Sequence, residues 1–263
     1  MRTFVDTHAH FDGIEKGDPA AVTAALERAN AAGVTRVIAV GGDAEGNRIA
    51  LRTAAAHPLA VRAAVGFNRH VAAQPAPDFP ELERQLETAG LAAVGETGLD
   101  FLREAATAPA QILLFQRMLG LAAERRLPIV VHCREAEEAM GPLLEAHAAR
   151  WRGEPDRIGV IHCFTGGVAF ARRALACGFH FSFSGILTFP KAENVRTAAA
   201  AVPENRLLVE TDTPYLAPVP HRGRPNEPMF TPLVAEGLAA VKGMTLEALA
   251  AQTTANARRL FGL

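Results

Sequence analysis

The sequence predicts a single (β/α)8 barrel, an α/β fold spanning residues 1–263, and two observations carry that expectation. Short apolar, β-branched runs alternate with Ala-rich helical stretches along the whole chain, with no shift in composition to mark a domain boundary. The length of 263 residues also suits this fold, which commonly runs to about 250 residues as one unit.

The elements follow in order. Thr3–Val5 reads as a first strand leading into Asp6-Thr7-His8-Ala9-His10. A helix opens at Asp18-Pro19, with Asp as the capping acceptor and Pro at the first helical position, and Gly33 closes it. Val34–Val40 and Leu59–Phe67 read as buried strands around a helix at Ala44–His57, and a Pro-rich loop follows. Next come helix Pro80–Ala89, strand Leu91–Gly95, and a long helix from Pro109 to Arg126 stopped by Pro128. Strands Ile129–His132, Ile158–His162, Phe179–Phe183 and Leu207–Glu210 alternate with helices Glu135–Ala149, Val168–Cys177 and Ala192–Ala201. Helices Pro232–Lys242 and Leu246–Phe261 complete the chain, giving eight strands and no internal repeat.

Composition narrows the function. With 49% hydrophobic and 21% charged residues, no run of membrane-spanning length and no leader-like N-terminus, the expectation is a cytoplasmic protein with no membrane partner. Cys133, Cys163 and Cys177 form no Cys-x-x-Cys, so neither a disulfide framework nor a thiolate zinc site is indicated. A net charge of −1 lacks the basic excess of a protein that grips long duplexes, so a nucleic-acid substrate would be contacted locally. No obligate protein partner is evident.

The chemistry gathers at strand ends. His8 and His10, two apart on an extended segment, point to the same side. Strand four leads to Glu96, strand five to His132, strand six to His162 and strand eight to Glu210-Thr211-Asp212, and in a barrel those ends converge on one face. Four histidines and two carboxylates exceed what one tetrahedral site uses, which predicts two divalent cations, Zn²⁺, Mn²⁺ or Mg²⁺. Glu96, with two oxygens, is a natural bridge, and Asp212 is suited both to ligate and to accept the proton of an attacking water. His57, His70, His147 and His180 read instead as structural histidines. Arg134, Arg222, Arg224 and Asn226 fall in strand-end loops and could receive phosphate oxygens, although the arginines could equally tie loop to loop. Phe101, Phe164 and Tyr215 are stacking candidates, with Phe164 better suited to the core.

Thr7–His10, Gly95–Asp100, Val131–Arg134, His162–Gly166, Phe183–Phe189, Glu210–Leu216, His221–Pro228 and Asn256–Phe261, taken together, resemble the TatD family of metal-dependent deoxyribonucleases. The resemblance implies a barrel of the metallo-dependent hydrolase superfamily with one cation on His8, His10, Glu96 and Asp212 and the other on Glu96, His132 and His162. It departs at Thr97, Phe101 and Cys133, none of them a ligand. It implies cleavage of phosphodiester bonds of DNA or RNA from an end by water activated at the metals. It also admits hydrolysis of the ester of a D-aminoacyl-tRNA. A non-catalytic metal or nucleic-acid binding module is a third reading, disfavoured by the intact ligand set.

Overall fold

Eight parallel strands follow one another around the sheet in chain order. They are β1 (Phe4–Ala9), β2 (Val34–Gly42), β3 (Val61–Phe67), β4 (Ala93–Asp100), β5 (Ile129–Arg134), β6 (Gly159–Ile161), β7 (His180–Phe183) and β8 (Leu207–Val209). The intervening and closing helices are α1 (Pro19–Ala31), α2 (Ala44–Ala56), α3 (Phe79–Gln85), α4 (Ala108–Arg125), α5 (Glu137–Arg150), α6 (Val168–Ala176), α7 (Glu193–Ala201), α8 (Thr231–Lys242) and α9 (Leu246–Phe261). The structure, a computed structural model, describes residues 2–73 and 77–263; three residues of the Pro-rich loop, 74–76, lie outside the described residues.

The predicted caps form. The Asp18 carboxylate accepts from the Ala21 N–H at 2.9 Å with Pro19 opening α1, and Asp43 does the same for α2 through Gly46 at 2.8 Å. Between β8 and β1 the barrel nearly closes just beyond the last paired residue of β8. There the Asp212 N–H donates to the His8 carbonyl and the His10 N–H to the Thr213 carbonyl, both at 2.9 Å. The buried Asp6 carboxylate reinforces this seam by accepting from the Thr211 N–H at 3.0 Å and its hydroxyl at 2.6 Å.

Alternation along the strands divides the core. Val37 and Ala39 face the helices, whereas Ile38 and Val40 join Val5, Ala64, Val130, Val160 and Leu208 in a separate cluster inside the barrel. Ala257, Leu260 and Phe261 of α9 belong to that inner cluster. The Asn256 amide fixes the helix there by donating to the carbonyls of Glu204 and Leu207, both at 2.8 Å, and the Thr254 hydroxyl donates to Thr3 at 2.9 Å. These contacts are with the chain at the starts of β8 and β1, so α9 covers the N-terminal end of the barrel and leaves the C-terminal end open.

One boundary differs informatively from the sequence expectation. Strand four does not end at Gly95 but continues to Asp100 through a bulge, where Gly95 and Glu96 together oppose Val130 of β5. Glycine is required on both sides of Glu96. A Cβ on Gly95 (φ +135°) would lie 2.7 Å from the Val130 carbonyl oxygen, and one on Gly98 (φ +143°) only 1.9 Å from that of His132. The bulge and the close strand approach therefore aim the Glu96 side chain into the barrel mouth. β1 has a corresponding irregularity, with Thr7 and His8 opposing Ile38.

Candidate metal centre

Residues far apart in the chain meet at the C-terminal mouth. His8 comes from β1, Glu96 from β4, His132 from β5, and His10, His162 and Asp212 from the segments just past β1, β6 and β8. His8, Glu96 and His162 are buried, and Asp212 is 9% exposed.

The two oxygens of Glu96 face two separate donor groups. Its Oε2 lies 3.4 Å from His10 Nε2 and 3.9 Å from His8 Nε2; both of these nitrogens are 3.8 Å from Asp212 Oδ1 and 3.0 Å from each other. Its Oε1 lies 3.3 Å from His132 Nδ1 and 3.4 Å from His162 Nε2, which are 3.3 Å apart. A tetrahedral cation with bonds of about 2.0–2.2 Å needs donors about 3.3–3.6 Å apart; the second group has that spacing and the first straddles it. Imidazole and carboxylate donors, without thiolate, fit divalent metal.

Three of the four imidazoles are also held from behind. His10 Nδ1 meets the Val40 carbonyl at 3.0 Å, His132 Nε2 meets Asp100 Oδ2 at 3.3 Å, and His162 Nδ1 meets Glu210 Oε1 at 3.3 Å. Such contacts fix the ring and leave one nitrogen free for a metal. Glu210 Oε1 is itself held by the Cys163 N–H at 2.8 Å, and the Asp100 carboxylate by the N–H groups of Leu102 and Arg103.

The electrostatics follow from this crowding. Burial would raise Glu96, but hydrogen bonds from His10 and His162, with the nearby imidazole charges, hold it well below the ordinary carboxylate range. Burial lowers His10 and His162, yet the facing carboxylates outweigh it and bring them up to about 9 and about 10. His132 is pushed down to about 4, mainly by burial, and burial raises Asp212 to about 7.

A cavity of about 680 Å³ opens above the donors. Arg134, at the end of β5, lines it, and so does Tyr215, which is 60% exposed and lies 6.4 Å from the His10 ring. Arg222 is in an adjoining groove, its guanidinium 4.3 Å above the Phe189 ring. Two expected substrate residues line neither space. Asn226 is 1% exposed and spends its amide on the carbonyls of Thr211 at 2.8 Å and Tyr215 at 2.6 Å, so it anchors the loop after β8 and does not face a ligand. Arg224 is exposed and lines neither cavity. Phe164 is core, packed against Phe181 and Phe183.

The roles of Arg69, Asp100 and Glu210 escape a reading of the sequence. Arg69, just after β3, donates to Glu96 Oε1 at 3.1 Å and sits 3.4 Å from Asp100 Oδ2. Its neighbour His70, expected to be structural, lines the cavity and pairs with Glu104. Glu210 is visible beside Asp212, and Asp100 within the Gly95–Asp100 stretch, but their contacts to His162 and His132 depend on which way each strand end turns. Arg69 carries no local signal, because it opens a short 3-10 turn whose direction depends on the packing around it.

Comparison with known proteins identifies relatives of this chain along nearly its whole length. The model of TatD related DNases covers residues 5–262. An uncharacterized metal-dependent hydrolase of Bacillus subtilis, YabD, is 35% identical over 97% of this chain and 98% of its own length. A protein of Erwinia amylovora named 3'-5' ssDNA/RNA exonuclease TatD is 35% identical over 90% of this chain and 92% of its own. The crystal structure of YJJV, a TatD homolog from Escherichia coli K12, superimposes with a TM-score of 0.86 at 28% identity, covering 99% of this chain and 98% of that one. With matches of this extent in both sequence and fold, the chain belongs to the TatD family and is a metal-dependent hydrolase.

Proposed function

We propose that this hydrolase holds two divalent cations and cleaves phosphodiester bonds of a single-stranded nucleic acid, working from an end. The observation that carries the reading is the division of Glu96, with one oxygen toward His8, His10 and Asp212 and the other toward His132 and His162. Four imidazoles among six donors favour Zn²⁺ over Mg²⁺. When bound, such a pair would lower the pKa of a water and offset charge developing on a phosphoryl oxygen. The 3'-5' ssDNA/RNA exonuclease name of the Erwinia relative supports the substrate class. The near-neutral net charge supports contact with only a few nucleotides.

The remaining work falls to the chain's own groups. Asp212, at the edge of the cavity, accepts the proton of the attacking water at a carboxylate oxygen. Arg134, on the cavity wall, presents a planar guanidinium group to the phosphate. Tyr215 offers an exposed ring at the mouth on which a base can stack.

The test is incubation of the purified chain with end-labelled single-stranded DNA and RNA in Mg²⁺, Mn²⁺ or Zn²⁺. Stepwise shortening is expected, and it should vanish on chelation and in Glu96→Ala and Asp212→Ala. No shortening with any of the three ions, or equal shortening by the variants, overturns the reading. Release of an amino acid from D-aminoacyl-tRNA without nuclease activity would move the chemistry to a carboxylic ester.

A further inference from the structure

Beside the catalytic cavity lies a second groove of about 470 Å³, bordered by the turn after β7 and the loop that carries Arg222. The two spaces are continuous: Thr165, Ile186 and Asn194 line both. Apolar side chains, Ile186, Phe189 and Val195, form much of the groove wall, and Lys191 and Arg222 supply its charge.

Among the described residues, none that lines this groove is a carboxylate. Glu193, which follows Lys191 closely in the chain, is engaged by Arg196 at 3.0 Å, leaving the Lys191 ammonium and the Arg222 guanidinium as the charges the groove presents. The Arg222 guanidinium sits 4.3 Å above the Phe189 ring, a cation–π contact that holds it at the groove. The other side of the catalytic cavity differs: Asp12 and Asp43 line it where β1 and β2 end. Carboxylates also line the catalytic cavity after β5, at Glu135 and Glu137, so the groove differs from the cavity in presenting only positive charge, which attracts a polyanion.

Resting on the nuclease reading above, we propose that this groove is a nucleotide subsite that takes a segment of the strand neighbouring the scissile bond. Its phosphates are received by Lys191 and Arg222 and its sugar or base lies against Ile186 and Phe189. The volume accommodates a nucleotide unit, and the shared border at Thr165 and Asn194 lets one strand occupy both spaces. The subsite would make affinity depend on strand length, whereas the metal-facing donors see only the bond that is cut.

The experiment measures binding separately from cleavage. The full metal-loaded chain is titrated into a fluorescent single-stranded oligodeoxynucleotide with cleavage-resistant phosphorothioate linkages, and anisotropy is followed at several salt concentrations. Lys191→Ala combined with Arg222→Ala is expected to weaken binding about tenfold and to reduce the slope of log affinity against log salt by about 1.4, roughly 0.7 for each single-strand phosphate that is no longer neutralised. Lys191→Arg with Arg222→Lys keeps the wild-type slope. Arg150→Ala, an exposed charge at the end of α5, changes neither quantity. An unchanged slope in the double alanine variant, or no binding by the wild-type chain, overturns the subsite. If groove-dependent binding is present but no phosphodiester is cut, the nuclease reading falls and the subsite stands; if cleavage is present and the slope is unchanged, the reverse holds.

Discussion

At the N-terminal end of the barrel, Val5, Ile38, Ala64, Val130, Val160 and Leu208 meet one another and the Leu260 and Phe261 side chains of α9, an entirely apolar cluster. At the C-terminal end the same sheet delivers four histidines, Glu96 and Asp212 into a space so small that their donor atoms stand 3.0–3.9 Å apart. The first end gains free energy from apolar burial, and the second gives some up by desolvating charges that only cations or one another can compensate. Substitutions at the two ends should therefore separate stability from activity.

Glu96→Ala gives the largest expected effect. Removing a partner that merely orients a metal ligand typically costs about 10–100-fold, so removing the carboxylate shared by both donor groups should cost more than about 100-fold in kcat/KM and leave fewer bound metal ions per chain. Kinetics with metal analysis of the purified variant checks both. At the opposite end, Phe261→Ala should lower stability by about 3–5 kcal/mol while the folded fraction keeps its kcat, as read from chemical denaturation alongside assay. Activity lost in proportion to neither folding nor metal content would break the contrast.

Glu210→Gln comes next, because it keeps the shape of the side chain that holds His162 Nδ1 but removes its charge. A loss of about 10–100-fold in metal affinity is expected from competition titrations with a chelator, with the thermal midpoint nearly unchanged. The smallest effect concerns histidines outside the site. Burial, the largest cause for each, holds both His147 and His180 down to about 4. In acid the unfolded chain binds protons at these residues that the folded chain does not. Their contribution is thus fully present above about pH 6.5 and is lost as pH falls toward about 4, at a limit of about 1.4 kcal/mol per pH unit for each histidine. Denaturant midpoints for wild type and His147→Asn across this window should converge as pH falls. A constant difference would show that His147 stays paired or charged in the fold.

His8 and His10 show what local order reveals. Their spacing on a strand is enough to place both imidazoles together, because alternation of side chains is a property of the extended backbone. The N-cap at Asp18 is readable for the same reason, its acceptor and donor lying three residues apart. Arg69 and Asn226 show the limit. Both are residues outside the strands and of a type that suits phosphate, but Arg69 turns inward to Glu96 whereas Asn226 is absorbed by two backbone carbonyls, and neither outcome leaves a trace in the neighbouring sequence.

The alternation of strands and helices is written in the chain's own order, and with it the barrel, the face on which the ligand-type residues gather, and the residue types that meet there. Periodicity, capping and residue chemistry act over a few positions and can be read without the fold. Three-dimensional packing settles the rest: β4 runs on past Glu96 through a bulge, the two Glu96 oxygens face different donor groups, and Asp100 and Glu210 stand behind His132 and His162. Those arrangements depend on register between strands and on contacts across dozens of residues, where distances of a few tenths of an ångström separate a ligand from a bystander.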